Sequence, residues 1–302
     1  MNDSYISYRN LLRIAVPLSL GAFVQFLVVL TDNFFLSRVS ENSINGAGNG
    51  GLLYVTAIMA GVGLAGGTQI LVARRQGENN PLEAGRIVAS SLRMSLLVAL
   101  VMWILFRITD AFLYQHIIES DAIRSTMSEF LDIRSFGFFF YIPLLVFNSL
   151  YMGIGRTRVI LVTMSIVALT NIVLDYWFIF GSAHFEPMGH QGAAVASMIA
   201  EYTGLIFIST YTFARYGKRE FSILAALRTK TKGLAGRIMK LSYPIMLQQI
   251  IALGTWSCFY FLVEKVGGTE LKVSHIVRNG YMFAFVAVMG IGQTTRTVIS
   301  TL

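Results

Sequence analysis

Charge is scarce in this sequence: Asp, Glu, Lys and Arg together make up 13% of its 302 residues, about half the share found in soluble globular domains. An ordinary water-soluble fold is excluded on that count. Cysteine occurs once, at Cys258, which leaves no internal disulfide and removes the disulfide-scaffold class. Catalytic constellations are missing as well. The four histidines, His116, His184, His190 and His275, include no HExxH pair, and no Walker loop, GxSxG elbow or Cys/His metal spacing occurs. The chain therefore reads as a protein other than an enzyme, without a cofactor, and any pumping it performs draws on an ion gradient rather than on nucleotide hydrolysis. His184 and His190 share a predicted outer loop without a third ligand nearby and read as solvated.

What is abundant is apolar surface, with 55% hydrophobic residues and a mean hydropathy of +0.62. Eight apolar blocks lie near 11–37, 50–73, 87–113, 135–155, 159–182, 192–214, 241–263 and 273–297. Each reaches the roughly 20 residues that cross a hydrocarbon core. The stretches Gly50 to Ala73, Ser135 to Gly155 and Leu241 to Val263 carry no charge at all, so disordered and coiled-coil classes are excluded too. The alternation of an outer-membrane barrel is absent, and lipid admits only helices or closed barrels. The fold class is therefore all-α, a polytopic membrane helical bundle. The first block is too long for a cleavable signal peptide and has no small-residue cleavage site after it, so it reads as the first membrane helix.

The net charge of +8 sits between the apolar blocks, without a basic groove or stacking motif, and points to membrane orientation rather than to nucleic acid. With the N terminus inside, inner segments carry fifteen Lys and Arg residues against six outside, namely Arg38, Arg107, Arg124, Arg134, Lys265 and Lys272. Both termini are thus predicted to be cytoplasmic. Residues 215–240, which include Lys218, Arg219 and Lys230, read as a basic cytoplasmic linker, part of it an amphipathic helix on anionic lipid.

The chain also resembles itself. A shift of 227 residues lays Arg13 on Lys240, Pro17 on Pro244, Leu20 on Leu247 and Arg38 on Lys265, and a shift of 229 lays Gly61, Val62, Gly63 and Thr68 on Gly290, Ile291, Gly292 and Thr297. The seventh and eighth blocks look like a second copy of the first two. Six helices precede that copy, so the two units share topology about an axis along the membrane normal, as in secondary transporters. Chance similarity of apolar segments is the alternative. The expected organisation is a six-helix N-terminal lobe over 1–214, the linker over 215–240, and the first two helices of a second lobe over 241–302. A full second unit would run to about residue 467, so roughly four helices are expected to be missing and the chain to be truncated.

Three acidic residues fall well inside the blocks: Asp32, Asp175 and Glu201. A carboxylate at a helix centre costs about 2.5–3.5 kcal/mol on insertion scales, so each needs a partner, water or a proton. The first and fifth blocks both run outward, which gives Asp32 and Asp175 a common depth in the outer half. Asn171 and Asp175 are four residues apart and share a helix face; Gln25 and Asp32 are seven apart and return to one side. Two carboxylates held together in low dielectric either share a proton or hold a small ion such as sodium between them. The alternative is aspartates satisfied by helix-packing hydrogen bonds, and for Glu201 that packing role is the favoured reading. Pro17 supplies a hinge or a tolerated kink. Small residues in AGVGLAGGTQ favour close helix packing, and the aromatics FGFFFY at 136–141 read as lipid contact ahead of a ligand wall.

The first block with Pro17, Gln25 and Asp32, the loop LVARRQGENN, GRTR leading into NIVLDY, GHQGAAVAS opening the sixth block and LSYPIMLQQ in the seventh together resemble the multidrug and toxic compound extrusion (MATE) family over nearly the whole chain. The resemblance implies twelve helices in two six-helix lobes and export of organic cations and drugs in exchange for protons or sodium across the bacterial inner membrane. It implies a cation site at Asp32, Asn171 and Asp175, with Ser197 as a nearby hydroxyl. Phe130 falls where the family often has a tyrosine, and Ala252 where one branch has a second-lobe glutamate, so the resemblance favours the N-lobe site. Glu201 receives no role from it. The expected function is a cation-coupled efflux antiporter working by alternating access, with Gln25 and Phe130 at the substrate cavity, Pro17 as hinge, a small organic substrate, surrounding lipid and no obligate protein partner. Rival readings are an exporter of a lipid-linked or polar metabolite, which predicts a cationic cavity, and a receptor or scaffold without transport.

Overall fold

A computed structural model describes residues 8–112, 121–181, 186–216, 220–229, 231–266 and 268–301. His116, His184, Lys218, Arg219 and Lys230 lie outside the described residues, as do the side chains of Lys265, Lys272 and His275. Every regular element among the described residues is helical: α1 Tyr8–Ser37, α2 Glu41–Gly77, α3 Pro81–Phe112, α4 Asp121–Arg134, α5 Phe138–Gly153, α6 Arg158–Phe180, α7 Gly189–Tyr216, the short α8 Ile223–Arg228, α9 Leu234–Val266 and α10 Gly268–Thr301. A 3-10 turn, Ser135–Gly137, joins α4 to α5.

Local sequence sets the boundaries. The Ser40 hydroxyl accepts from the Ser43 amide at 3.0 Å and caps α2, while Asn80 Oδ1 accepts from the Glu83 amide at 3.1 Å ahead of Pro81, a proline at the first helical position where its missing N–H costs nothing. Gly181 closes α6 at φ +78°, in the left-handed region that a residue without Cβ enters freely.

Six segments are long and apolar enough to cross a membrane: Leu11–Ser37, Glu41–Gly77, Pro81–Ile108, Asp121–Gly153, Arg158–Phe180 and Gly189–Tyr216. They form the expected six-helix lobe, followed by α9 and α10 of 33 and 34 residues. The fourth span departs from expectation. It begins at Asp121 rather than near 135, because α4 carries Asp121, Arg124, Glu129, Asp132 and Arg134, which apolarity alone reads as loop. Arg134, expected among the outer loop cations, lies inside the span. The linker also differs from expectation among the described residues. Its one helix, α8, docks on α3, with Phe221 and Ile223 buried and Arg93 Nη1 donating to the carbonyls of Ala226, Leu227 and Thr229 at 3.4, 3.2 and 3.0 Å. Its apolar face is thereby covered by protein instead of lipid.

The small residues of α2 bring α9 close. A Cβ built on Gly63 would stand 2.5 Å from the backbone N and Cα of Met246, and one on Gly67 would stand 3.0 Å from Ser242 N and Cα. Nearby, Gln69 Nε2 donates to Thr297 Oγ1 at 2.7 Å and to the Gln293 carbonyl at 3.1 Å, and a Cβ on Gly290 would meet Ser19 N at 3.0 Å. All these contacts belong to the end of the bundle that holds the N-terminal half of α1. Toward the opposite end, Gly254 of α9 and Gly280 of α10 have open space where a Cβ would stand, and Leu27, Leu30 and Phe34 of α1 are exposed. The first lobe and α9/α10 therefore approach backbone to backbone at the end that holds the N-terminal half of α1.

Gly63→Ala puts a methyl group against fixed backbone, and overpacking of this kind costs about 1–3 kcal/mol. Gly48→Ala, on the same helix with nothing within 4 Å, is expected to stabilise by about 0.4–1 kcal/mol. Thermal unfolding in detergent should move in opposite directions for the two variants.

Candidate functional site: a carboxylate pair beside a buried arginine

α6 presents Asn171 and Asp175 on one face, at 1% and 0% exposure, and packs against both α1 and α7. α1 brings Asp32 to within side-chain hydrogen-bonding reach of Asp175. From α7, Ser197 completes the group, its Oγ accepting from Asn171 Nδ2 at 3.2 Å. The four residues expected to share a site are thus together, at a common level on three helices. Asp32 Oδ1, Asn171 Oδ1 and both carboxylate oxygens of Asp175 are buried without a hydrogen-bond donor among the described residues. Carboxylates bring only acceptors, and a buried acceptor left unpaired costs about 1–3 kcal/mol. Buried hard oxygens without a donor suit a proton or a small hard cation. Among the described residues no group of three His, Cys, Asp or Glu side chains suited to a metal ion occurs.

Gln25 lies on the same α1–α6 seam, two turns from Asp32, and its Nε2 donates to Met164 Sδ at 3.3 Å. Met164 is two turns from Asn171, so the two helices keep register along the seam. Phe130 is only 7% exposed and lies against Gly50 with Met127 and Leu131, in a buried cluster. Pro17 is buried within a helix that runs on through it. It has no N–H to give Arg13, and one residue on the Ile14 carbonyl accepts from Thr157 Oγ1 at 3.1 Å, which ties this weakened turn to the GRTR loop.

A second buried cluster adjoins the first. Glu201 is one turn beyond Ser197 on α7 and 5% exposed. Arg134 grips it at both oxygens, Nη2 to Oε1 at 2.5 Å and Nη1 to Oε2 at 2.8 Å. The Tyr54 hydroxyl donates to Oε2 at 3.2 Å, and its ring lies 3.8 Å from the guanidinium carbon and stacks on Phe138 at 4.7 Å. Gly137 leaves room for this: a Cβ there would come within 2.5 Å of Tyr54 Oη and 2.6 Å of Glu201 Oε2. Glu201 is thus satisfied, in line with its packing reading, by a partner that hydropathy had placed in a loop. The usable signal was the requirement that an intramembrane carboxylate have a cation nearby.

At the end of this lobe where α7 begins, Glu129 accepts from Gln191 Nε2 at 2.8 Å and Ser125 Oγ at 3.0 Å and pairs with His190 Nε2 at 3.0 Å. His190, expected to be solvated, instead joins α4 to α7, because Glu129 belongs to a helix and not to a loop.

Long apolar helices with carboxylates buried among them define a polytopic helical membrane protein. A MatE family model matches residues 17–177, more than half of the chain, and the chain belongs to the MatE family. It is 21% identical over 292 residues to the probable multidrug resistance protein NorM of Thermotoga maritima, covering 96% of this chain and 62% of that protein. With the multidrug resistance protein NorM of Vibrio vulnificus it shares 20% identity, covering 95% and 62%. Among solved structures it superposes with TM-score 0.84 at 23% identity on an outward-facing multidrug resistance MATE transporter of the MOP superfamily. A MOP superfamily transporter from Pyrococcus furiosus, described as having a binding pocket of reversed polarity that suggests a different function, gives 0.83 at 22%. Each covers 96% of this chain and 63% of the solved one. The chain therefore spans just under two thirds of the length of these relatives, and it is a multi-pass membrane protein.

Tyr54→Phe removes a hydroxyl bonded to a buried charge and leaves the ring stack intact. A loss of about 1.5–3 kcal/mol is expected, read as a lower unfolding temperature, whereas Tyr243→Phe, at an exposed position, should leave it unchanged.

Proposed function

We propose that this chain forms the cation-coupled lobe, and the start of the partner lobe, of a multidrug efflux antiporter in a bacterial inner membrane. One observation carries the reading: on the adjoining helices α1 and α6, four acceptor oxygens of Asp32, Asn171 and Asp175 are buried with no donor among the described residues. Such a site is stable only when a proton or sodium ion occupies it. Emptying it changes the charge between α1 and α6, and α1 also packs against α10, so the change is carried to the seam between the lobes. Asp32, Asn171, Asp175 and Ser197 hold the cation, and Pro17 weakens α1 where it must bend. Gln25 lines the substrate path, and Phe130 shapes it from behind, through α2.

The substrate class follows the names carried by the relatives, multidrug resistance proteins. A small organic compound, a cation above all, is drawn to the acidic side of the site and leaves when the coupling ion returns. Both termini are cytoplasmic in this reading. The close packing of α2 on α9 then lies toward the cytoplasm, and one of the superposed transporters is described as outward-facing. Lipid covers the exposed apolar faces, and transport needs no obligate protein partner. The carboxylate pair speaks for this reading over a scaffold.

In everted membrane vesicles carrying the full-length protein, drug addition should release the accumulated proton or sodium gradient. Asp32→Asn and Asp175→Asn should each abolish that release while leaving the protein in the membrane. Unchanged release in either variant would sink the coupling assignment.

A further inference from the structure

The proposed coupling site has a charged neighbour that the mechanism above does not use. Arg134 is buried with Glu201, and replacing buried ion pairs by apolar residues is often neutral or stabilising, so packing alone does not account for one here. Its position is informative. Glu201 lies one helical turn from Ser197 on α7, and Ser197 is bonded to Asn171 of the site, so the ion pair and the carboxylate pair occupy adjoining turns of one bundle. Arg134 is within electrostatic range of both Asp32 and Asp175. The charged and titratable groups within electrostatic range of one another here are Asp32 on α1, Tyr54 on α2, Arg134 on α4, Tyr141 on α5, Asp175 on α6 and Glu201 on α7.

A permanent guanidinium charge beside two aspartates is a competitor for the coupling ion. Left alone, Arg134 would neutralise one aspartate from within the protein and keep the other ion out. Held at both nitrogens by Glu201, with Tyr54 completing the carboxylate's hydrogen bonds, it forms a pair of zero net charge.

We propose that Glu201 is a positioning residue that sequesters Arg134, keeping the Asp32/Asp175 site dependent on an external proton or sodium ion. The inference rests on the coupling reading above. Removing the Glu201 charge turns a neutral neighbour into a cationic one. Removing both charges restores neutrality, so the pair should matter more through its imbalance than through its presence.

The test is a pH titration of the carboxylic-acid infrared band in the full-length protein reconstituted in liposomes. The wild-type band is expected to vanish as pH rises through one midpoint and to be absent from Asp32→Asn/Asp175→Asn; its survival there would refute the coupling reading itself. With the neighbouring positive charge unbalanced, Glu201→Gln favours the ionised aspartates. Its midpoint should fall by about one pH unit or more, a tenfold weaker hold on the proton. Sodium alone at fixed pH should bind about tenfold more weakly as well. In Arg134→Gln/Glu201→Gln both readouts should return to wild-type values, which a purely structural role would not produce. A wild-type midpoint in Glu201→Gln would overturn the proposal. So would a double variant displaced from the wild-type midpoint by a pH unit or more, a result that decides the matter even if Glu201→Gln fails to fold.

Discussion

Burying a carboxylate in a medium that cannot solvate it is the constraint from which the rest of this architecture follows. The lobe contains three such groups close together and solves them in two ways. Glu201 is given an internal cation, held in a forked geometry that satisfies both its oxygens. Asp32 and Asp175 have no ion-pair partner among the described residues, and three of their oxygens are buried without a donor there. A fully satisfied buried network rigidifies its surroundings, whereas a half-satisfied one is under pressure to acquire a partner. The first property suits a fixed wall between α2, α4 and α7. The second suits a place where something enters and leaves.

The helical framework makes the distinction possible. α7 carries Ser197 and Glu201 one turn apart, so one side chain bonds Asn171, a turn before Asp175, and the other reaches Arg134. The 3-10 turn at Ser135–Gly137 interrupts the fourth span next to Arg134, and Gly137 supplies the space that any side chain would fill. α4 is amphipathic: its apolar Met127, Phe130 and Leu131 are buried, while Arg134 reaches Glu201 and Glu129 pairs with His190.

Much of this was legible in the sequence, and the illegible part has a physical cause. Apolar runs of spanning length located six membrane helices within a few residues at most ends. The i, i+4 spacing of Asn171 and Asp175 and the i, i+7 spacing of Gln25 and Asp32 predicted which side chains share a seam. Hydropathy failed at α4, because a helix that pairs most of its charges at the protein surface and buries only Arg134 looks, residue by residue, like an exposed loop. The same averaging hid Arg134, which a count of loop cations assigned to the wrong environment, and left Glu201 without a partner. Docking of α8 on α3 was invisible for another reason. It depends on Arg93 reaching three carbonyls well over a hundred residues away, and no local pattern encodes that contact.

The close-packed end of the bundle and the carboxylate pair are joined by α1. That helix bears Asp32 near one end and, on the other side of the midpoint, packs Ser19 against Gly290 of α10 closely enough that a single added carbon would clash. Pro17 sits two residues from this contact and removes one of the hydrogen bonds that would stiffen the turn. A rigid α1 would pass any displacement at Asp32 straight to α10, and a fully flexible one would pass none. A helix weakened at a single turn beside the seam lets the first lobe shift while the α1–α10 contact persists or breaks as a unit. Interfaces packed backbone to backbone behave as bistable contacts rather than as springs. In the proposed antiporter, the glycines of α2 and α10 therefore set the height of the step between the two states, and the charge at Asp32 and Asp175 sets which state is lower.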